Sequence, residues 1–306
     1  MHDYLLCVMG SYVDKIYCCK DFPAEGDFTH AQFVTKAPGG CPLNVACIAA
    51  SKGVKVKALD YLSDEDSTTE FMINAMNSYG VDTSPIQIGK ATNGEVLLVT
   101  SNSQRTMFLI DPTRPKYVVD EKMQQLLNNS KYIYSLLHMI ERSFDGLQAL
   151  LIAKQNGAKV IIDGSSKYDD KKRAEVLLEI ADGLFINHND YDRLCRCVGA
   201  DAKEILLSHN CEFICITEGS AGATLYTQQG TYHQDSFKLD EVVDSTGAGD
   251  SFAATFLAAR LANKDYPQAL RLASAGGAYA CLKVGGQAGC CSFEKLEDFA
   301  NSFKGE

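Results

Sequence analysis

Residues 243–252 read "VDSTGAGDSF", two carboxylates, Asp244 and Asp250, around small residues just ahead of the apolar run "FAATFLAARLA". In that run Phe252, Phe256, Leu257 and Leu261 recur at helical spacing, which predicts a helix that starts near Ala248 and is entered from a strand. The first N–H groups of a helix have no partner within it, and here they would point back into the small-residue loop. Gly247 and Gly249 lack a Cβ, so those N–H groups and the positive end of the helix dipole can meet an anion at close range. Phosphate is the natural guest.

Asp250 falls in the first turn of the same helix, where it would repel a bound phosphate unless it serves another purpose. A carboxylate beside an anion hole can take the proton from a hydroxyl that attacks the phosphorus held there. A plainer reading fits the same spacing: Asp complements a helix N-terminus, and Gly-Ala-Gly makes a tight turn. No G-x-x-x-x-G-K-[ST] sequence occurs, which argues against a P-loop enzyme.

The elements that must carry this segment alternate along the chain. "YLLCVMG" reads as a strand, "NVACIAASKG" as a helix with a glycine stop, and "VKVKALDYLS" as a strand again. The beat continues through the helix "STTEFMINAMNSYG", the helix "EKMQQLLNNS", the strand "YIYSLL", the helix "FDGLQALLIAKQNG" and the strand "AKVIIDG". It ends with "GLFIN", "AKEILLSHN", "FICITEG", the hairpin "GATLYTQQGTYHQDSF" and two long C-terminal helices. Such alternation implies βαβ units and a mostly parallel sheet covered by helices on both faces. Two stretches, about 11–36 and 91–111, alternate like strands without a crossover helix. They predict a small β-sheet lid over the carboxyl ends of the parallel strands, though edge hairpins would read the same way.

Composition bounds the partners. The 306 residues, 46% of them apolar, suit one large α/β domain spanning 1–306. A net charge of −10 and a pI near 5.1 leave no footprint for nucleic acid. The twelve cysteines are scattered and include no C-x-x-C pair, which argues against structural zinc, and no secretory leader is evident, so a cytoplasmic protein is expected. No apolar run is long enough to span a bilayer.

"DSTGAGDSF" closely resembles the C-terminal signature of the ribokinase-like, or PfkB-type, carbohydrate kinases, and "GGCPLNVACIAASKG" at 39–53 resembles their N-terminal signature. "VMGSYVDKI", "GLFINHNDYDRL", "ITEGSAGATLY" and "ASAGGAYACLKVGGQAG" follow in family order. The resemblance implies an α/β, Rossmann-like, mostly parallel sheet flanked by helices, with a small β-sheet lid, and phosphorylation of a sugar-like hydroxyl by ATP with Mg²⁺. Asp250 would be the base, and the backbone of Gly247, Ala248 and Gly249 the anion hole. Asp14, Gly39, Gly40 and Asn44 would hold the sugar; read alone, Asp14 and Asn44 are turn or cap residues. Arg105 matches a frequent lid arginine, though a solvated strand residue would look the same.

On the nucleotide side the resemblance assigns Asn187, Thr217, Gly219, Gly222 and Ser274. Asp190 stands where the family has Glu, one methylene shorter, so that it would reach Mg²⁺ through water. Asp244, with carbonyls of "VGGQAGC", is in register for a monovalent cation such as K⁺. "GGCPLNVA" is most similar to the form in fructokinase-like and 2-keto-3-deoxygluconate kinase-like members, which favours a free sugar or sugar acid. Cys41 and Leu43 depart from the common form and would change the pocket's shape. A nucleoside kinase would instead use Phe33, Phe108 or Tyr12 against a base, and a non-catalytic sugar or nucleotide sensor would lack a working base. A homodimer through the lid rests on the resemblance alone.

Overall fold

The computed structural model describes residues 2–8, 10–101, 104–164, 170–209 and 211–303. The chain runs β1 (Tyr4–Val8), β2 (Tyr12–Cys19), β3 (Ala31–Gly39), α1 (Cys41–Ala50), β4 (Lys55–Leu59), β5 (Tyr61–Ser63), α2 (Thr68–Ser78), β6 (Gln87–Gly89), β7 (Gly94–Ser101), β8 (Gln104–Ile110) and α3 (Glu121–Asn129). It continues with β9 (Tyr132–Leu136), α4 (Leu137–Ser143), α5 (Gln148–Gln155), β10 (Lys159–Asp163), α6 (Lys171–Ile180), β11 (Gly183–Asn187), α7 (His188–Val198), α8 (Ala202–Ser208), β12 (Phe213–Thr217), β13 (Ala223–Thr227) and β14 (Gly230–Gln234). Three helices close it: α9 (Ala248–Leu261), α10 (Tyr266–Ala280) and α11 (Phe293–Ser302).

Eight strands form the main sheet in the order β14-β13-β12-β11-β10-β9-β1-β4, parallel from β4 to β12 and antiparallel at β13 and β14. The chain first steps from β1 to β4 on one side, then to β9 on the other. The carboxyl ends around β1 and β9 are therefore a topological switch point, where open α/β sheets bind ligands. Side-chain alternation builds the two cores: Leu5 and Cys7 of β1 face α1 and α9, while Leu6 and Val8 face the layer of α3 to α8. The small residues of α9 and α10 let these helices touch closely; a Cβ on Gly276 would lie 2.5 Å from Thr255 Oγ1.

A separate four-stranded sheet has the order β3-β2-β7-β8. Its strands come from the two alternating stretches, of which residues 102 and 103 lie outside the described residues. β1 ends at Val8 and β2 begins at Tyr12, so this sheet rises from the carboxyl end of β1. Two expectations are corrected. α9 is not entered from a strand, because 235–247 form an irregular loop, and α11 adds a third C-terminal helix. Among the described residues no helix is long and apolar enough to cross a membrane.

Candidate active site

Three parallel strands end on polar residues, β10 on Asp163, β11 on Asn187 and β12 on Thr217, and α9 begins at the same rim of the sheet. Gly247 caps α9 in the left-handed conformation, φ 75°. That φ suits glycine, and a Cβ there would fall 2.4 Å from the carbonyl oxygen of Gly286. Ala248 N–H donates to Ser245 O at 3.2 Å, so it is turned away from any ligand. Among the described residues the N–H groups of Gly247, Gly249 and Asp250 have no acceptor. The N–H groups left free are thus those of 247, 249 and 250, where the sequence suggested 247, 248 and 249 for an anion hole. A Cβ on Gly249 would meet nothing within 4 Å, so the approach there is open.

Asn44 and Asp14 are neither turn nor cap residues. Asn44 lies buried inside α1, and its Nδ2 donates to Asp250 Oδ2 at 2.8 Å. Its Oδ1 is buried and accepts no bond among the described residues. Asp14 lies on β2 beside Gly39, whose absent Cβ would sit 2.3 Å from Asp14 Oδ2. Gly40, φ 94°, would clash with Gly10 O if it carried a Cβ. Burial pushes Asp14 up to about 6. Burial also pushes Asp250 up to about 6, aided by the charges of Asp163 and Asp14 and opposed by hydrogen bonds from Cys41 and Asn44.

Behind Asp250 lies a cluster that the sequence did not disclose. Tyr134 OH donates to Asp163 Oδ2 at 2.9 Å, and Cys41 Sγ lies 3.1 Å from Tyr134 OH and 3.7 Å from Asp163 Oδ2. Ligand atoms of Cys41, Asp163 and Asp250 all fall within 4.8 Å of one another. Burial pushes the Cys41 thiol far up, so it is a protonated donor there.

The nucleotide-side residues split in two. Thr217, Gly219, Gly222, Ser274 and Gly249, with Phe237, line a cavity of about 600 Å³ that reaches the start of α9. Ser274 Oγ is buried without a partner among the described residues. Phe237, Leu239 and Val242 of the 235–247 loop also line this cavity; the sequence pattern places Phe237 at the end of a hairpin, which stops at Gln234, and singles out neither Leu239 nor Val242. Asn187 and Asp190 are not in its lining. Asn187 caps α7, its Oδ1 accepting from Asp190 N at 3.0 Å, while Asp190 takes Asn187 Nδ2 at 2.6 Å and Arg193 Nη1 at 3.0 Å.

Arg105 reaches from β8 to Thr246, Nη1 to Oγ1 2.6 Å, and so joins the small sheet to the turn before α9. Asp244 takes Thr246 N on one oxygen at 2.9 Å and Gly285 N on the other at 3.0 Å. Burial opposes its charge, but these bonds hold its carboxyl below the usual range.

A mostly parallel sheet with its switch point at β1, flanked by helices and joined by a small separate sheet, is a ribokinase-like fold, and a helix N-terminus with free N–H groups and a raised carboxylate lies at its rim. Residues 3–292 match the pfkB family of carbohydrate kinases, and the chain belongs to that family. It is similar to 5-dehydro-2-deoxygluconokinase of Clostridium perfringens, 28% identical over 268 residues that cover 78% of this chain and 77% of that one. It is also similar to ribokinase of Haemophilus influenzae, 24% identical over 303 residues, 96% and 97% of the two chains. Among solved structures, ribokinase of Arabidopsis thaliana complexed with ribose and ATP superposes with a TM-score of 0.82 at 18% identity, over 98% and 99% of the two chains.

Proposed function

We propose that this carbohydrate kinase moves the γ-phosphoryl group of ATP to a hydroxyl of a free sugar or sugar acid, with Asp250 as the base. The observation that supports the reading is the Asn44–Asp250 contact at the open N-terminus of α9, where a buried carboxylate lies beside free N–H donors. The acceptor hydroxyl would lie between Asp14 and Asn44 Oδ1, two acceptors left without partners among the described residues. A carboxylate and an amide suit vicinal hydroxyls, and Gly39 and Gly40 bring the backbone close to them. The attacking hydroxyl gives its proton to Asp250 as its oxygen bonds to phosphorus, and the bond from phosphorus to the ADP oxygen breaks. The N–H groups of Gly247, Gly249 and Asp250 hold the transferring oxygens.

The nucleotide would occupy the cavity lined by Thr217, Gly219, Gly222 and Ser274. Mg²⁺ would neutralise phosphate charge there. Both oxygens of Asp190 already accept bonds, one from the Arg193 guanidinium, so Asn187 and Asp190 suit a metal held through water. Arg105, already at Thr246, would add positive charge beside the phosphates. Asp244 would serve K⁺ only by sharing a carboxylate that ties 246 to 285. The small sheet exposes apolar side chains on both of its faces, among them Phe33, Val34, Met107 and Phe108, and we read the sheet as one that closes on a second copy as a lid-to-lid homodimer; sedimentation over a range of concentrations tests it.

Coupled ATPase assays across ketohexoses, sugar acids, pentoses and nucleosides test the substrate class. "GGCPLNVA" predicts that sugars or sugar acids give the highest kcat/KM. The exposed rings of Phe33 and Phe108 favour the second reading, a nucleoside kinase, and a nucleoside at the head of the panel would establish it. Tyr12 offers no such face, since it is buried with its OH on Asp111.

A further inference from the structure

Lys52 lies just past the end of α1, in "ASKG", and is only 7% exposed. Its Nζ donates to Gly289 O at 2.9 Å and to Cys291 O at 2.8 Å, and lies 3.6 Å from Cys291 Sγ. Ser51 Oγ donates to the same Cys291 carbonyl at 3.2 Å. Among the described residues Lys52 pairs with no carboxylate. Taking an ammonium out of water is costly, and a leucine or methionine would fill this volume without that cost. The charge therefore needs a reason, and the convergence of carbonyl oxygens on it supplies one.

Those carbonyls belong to the 285–291 loop, which braces the site. Gly286 O lies against Gly247, where a Cβ would be 2.4 Å away, and a Cβ on Gly286 would fall 2.6 Å from Asn44 Nδ2, the atom that donates to Asp250. A Cβ on Gly289 would lie 2.2 Å from Ser251 Oγ on α9. The loop thus touches the cap of the anion hole, the amide that orients the base and the first turn of the helix. Each end is held by a charge: Asp244 takes Gly285 N–H, and Lys52 takes the carbonyls of 289 and 291.

We propose that Lys52 is a positioning residue for phosphoryl transfer, its ammonium acting as a built-in cation that gathers the 289–291 carbonyls and seats Gly286 under Gly247 and Asn44. This rests on the kinase reading above. With the charge gone, the carbonyls repel one another, the loop shifts, and the N–H donors and Asn44 lose their registry with Asp250. Substrate contacts made by Asp14 on β2 are untouched.

Lys52→Met keeps most of the volume and removes the charge; Lys52→Ala leaves a hole the size of a propyl ammonium. Both are expected to fold, as thermal melting reads, with kcat lowered by up to about 10²-fold, the loss a displacement near 1 Å can cause. The acceptor KM should change less than kcat, because Asp14 on β2 still holds the acceptor while only Asn44 shifts. Propylammonium should restore a saturable part of the Lys52→Ala rate, and tetramethylammonium, which has the charge but no N–H, should not. Wild-type kcat in Lys52→Met, a loss in Lys52→Ala that propylammonium does not relieve, or failure of both variants to fold would each overturn the proposal. A wild-type enzyme without turnover on any acceptor would sink the kinase reading and the clamp with it. A wild-type enzyme that turns over beside an unimpaired Lys52→Met would sink the clamp alone.

Discussion

Asn44 and Asp250, 206 positions apart, meet through one hydrogen bond of 2.8 Å from amide to carboxylate. The bond fixes one oxygen of Asp250, so a residue of α1 orients the carboxylate on α9 that we propose as the base. Asp14 and Asp163 approach the same carboxylate from β2 and β10, and their charges help to raise it.

That electrostatic setting predicts a pH profile. Burial and the two neighbouring charges raise Asp250 to about 6, so the active, ionised form is lost as pH falls through about 6. Asp163→Asn removes one of the charges, and the acid limb of kcat/KM should move to lower pH. An unmoved limb would show that Asp163 does not act on the base.

Gly249 and Gly247 should respond differently to a methyl group. Gly249→Ala meets no atom within 4 Å and replaces glycine in a helix, so it should keep or raise the melting temperature. It should nevertheless weaken nucleotide binding by about tenfold, or about 1.4 kcal/mol, because the methyl stands where the phosphate approaches. Gly247→Ala is strained by its φ of 75° and by Gly286 O, and should destabilise the fold. Isothermal titration and thermal melting on both variants check the contrast.

Ser274 carries a buried hydroxyl without a partner in the cavity wall. If a nucleobase completes it, Ser274→Ala should raise the nucleotide Kd by about 0.5–1.5 kcal/mol of lost hydrogen bonding while the apo protein melts no lower. A Kd equal to that of the wild type would assign Ser274 to helix packing.

The parts written in short-range pattern could be read from the sequence. Helical spacing after "GAGD" located the start of α9 at Ala248, and the change from βα alternation to bare β alternation marked the strands of the small sheet. Long-range partners could not be read this way. "YIYSLL" looks like any buried strand, and nothing in it shows that Tyr134 meets Asp163 and Cys41. The turn of Ala248 N–H towards Ser245 depends on one backbone angle at Gly247, which composition does not encode. Lys52 reads as an ordinary lysine at a helix end, and only the returning 289–291 loop buries it.

Asp250→Asn separates a base from a mere complement to the helix dipole. The asparagine keeps the size of the side chain and removes the proton acceptor, so kcat should fall by about 10²–10⁴ while nucleotide affinity holds or improves. Stability carries an independent sign. A carboxyl raised to about 6 binds a proton in the native state that the unfolded chain, near the ordinary value of 3.8, has released, so its charge costs stability at pH 7 and that cost fades as pH falls through 6. Asp250→Asn should therefore melt at or above the wild-type temperature at pH 7. The most direct measurement is kcat of that variant on the best acceptor, alongside its melting curve at pH 7. A folded, nearly inactive protein is the predicted result, and a folded variant with near wild-type kcat would contradict the mechanism.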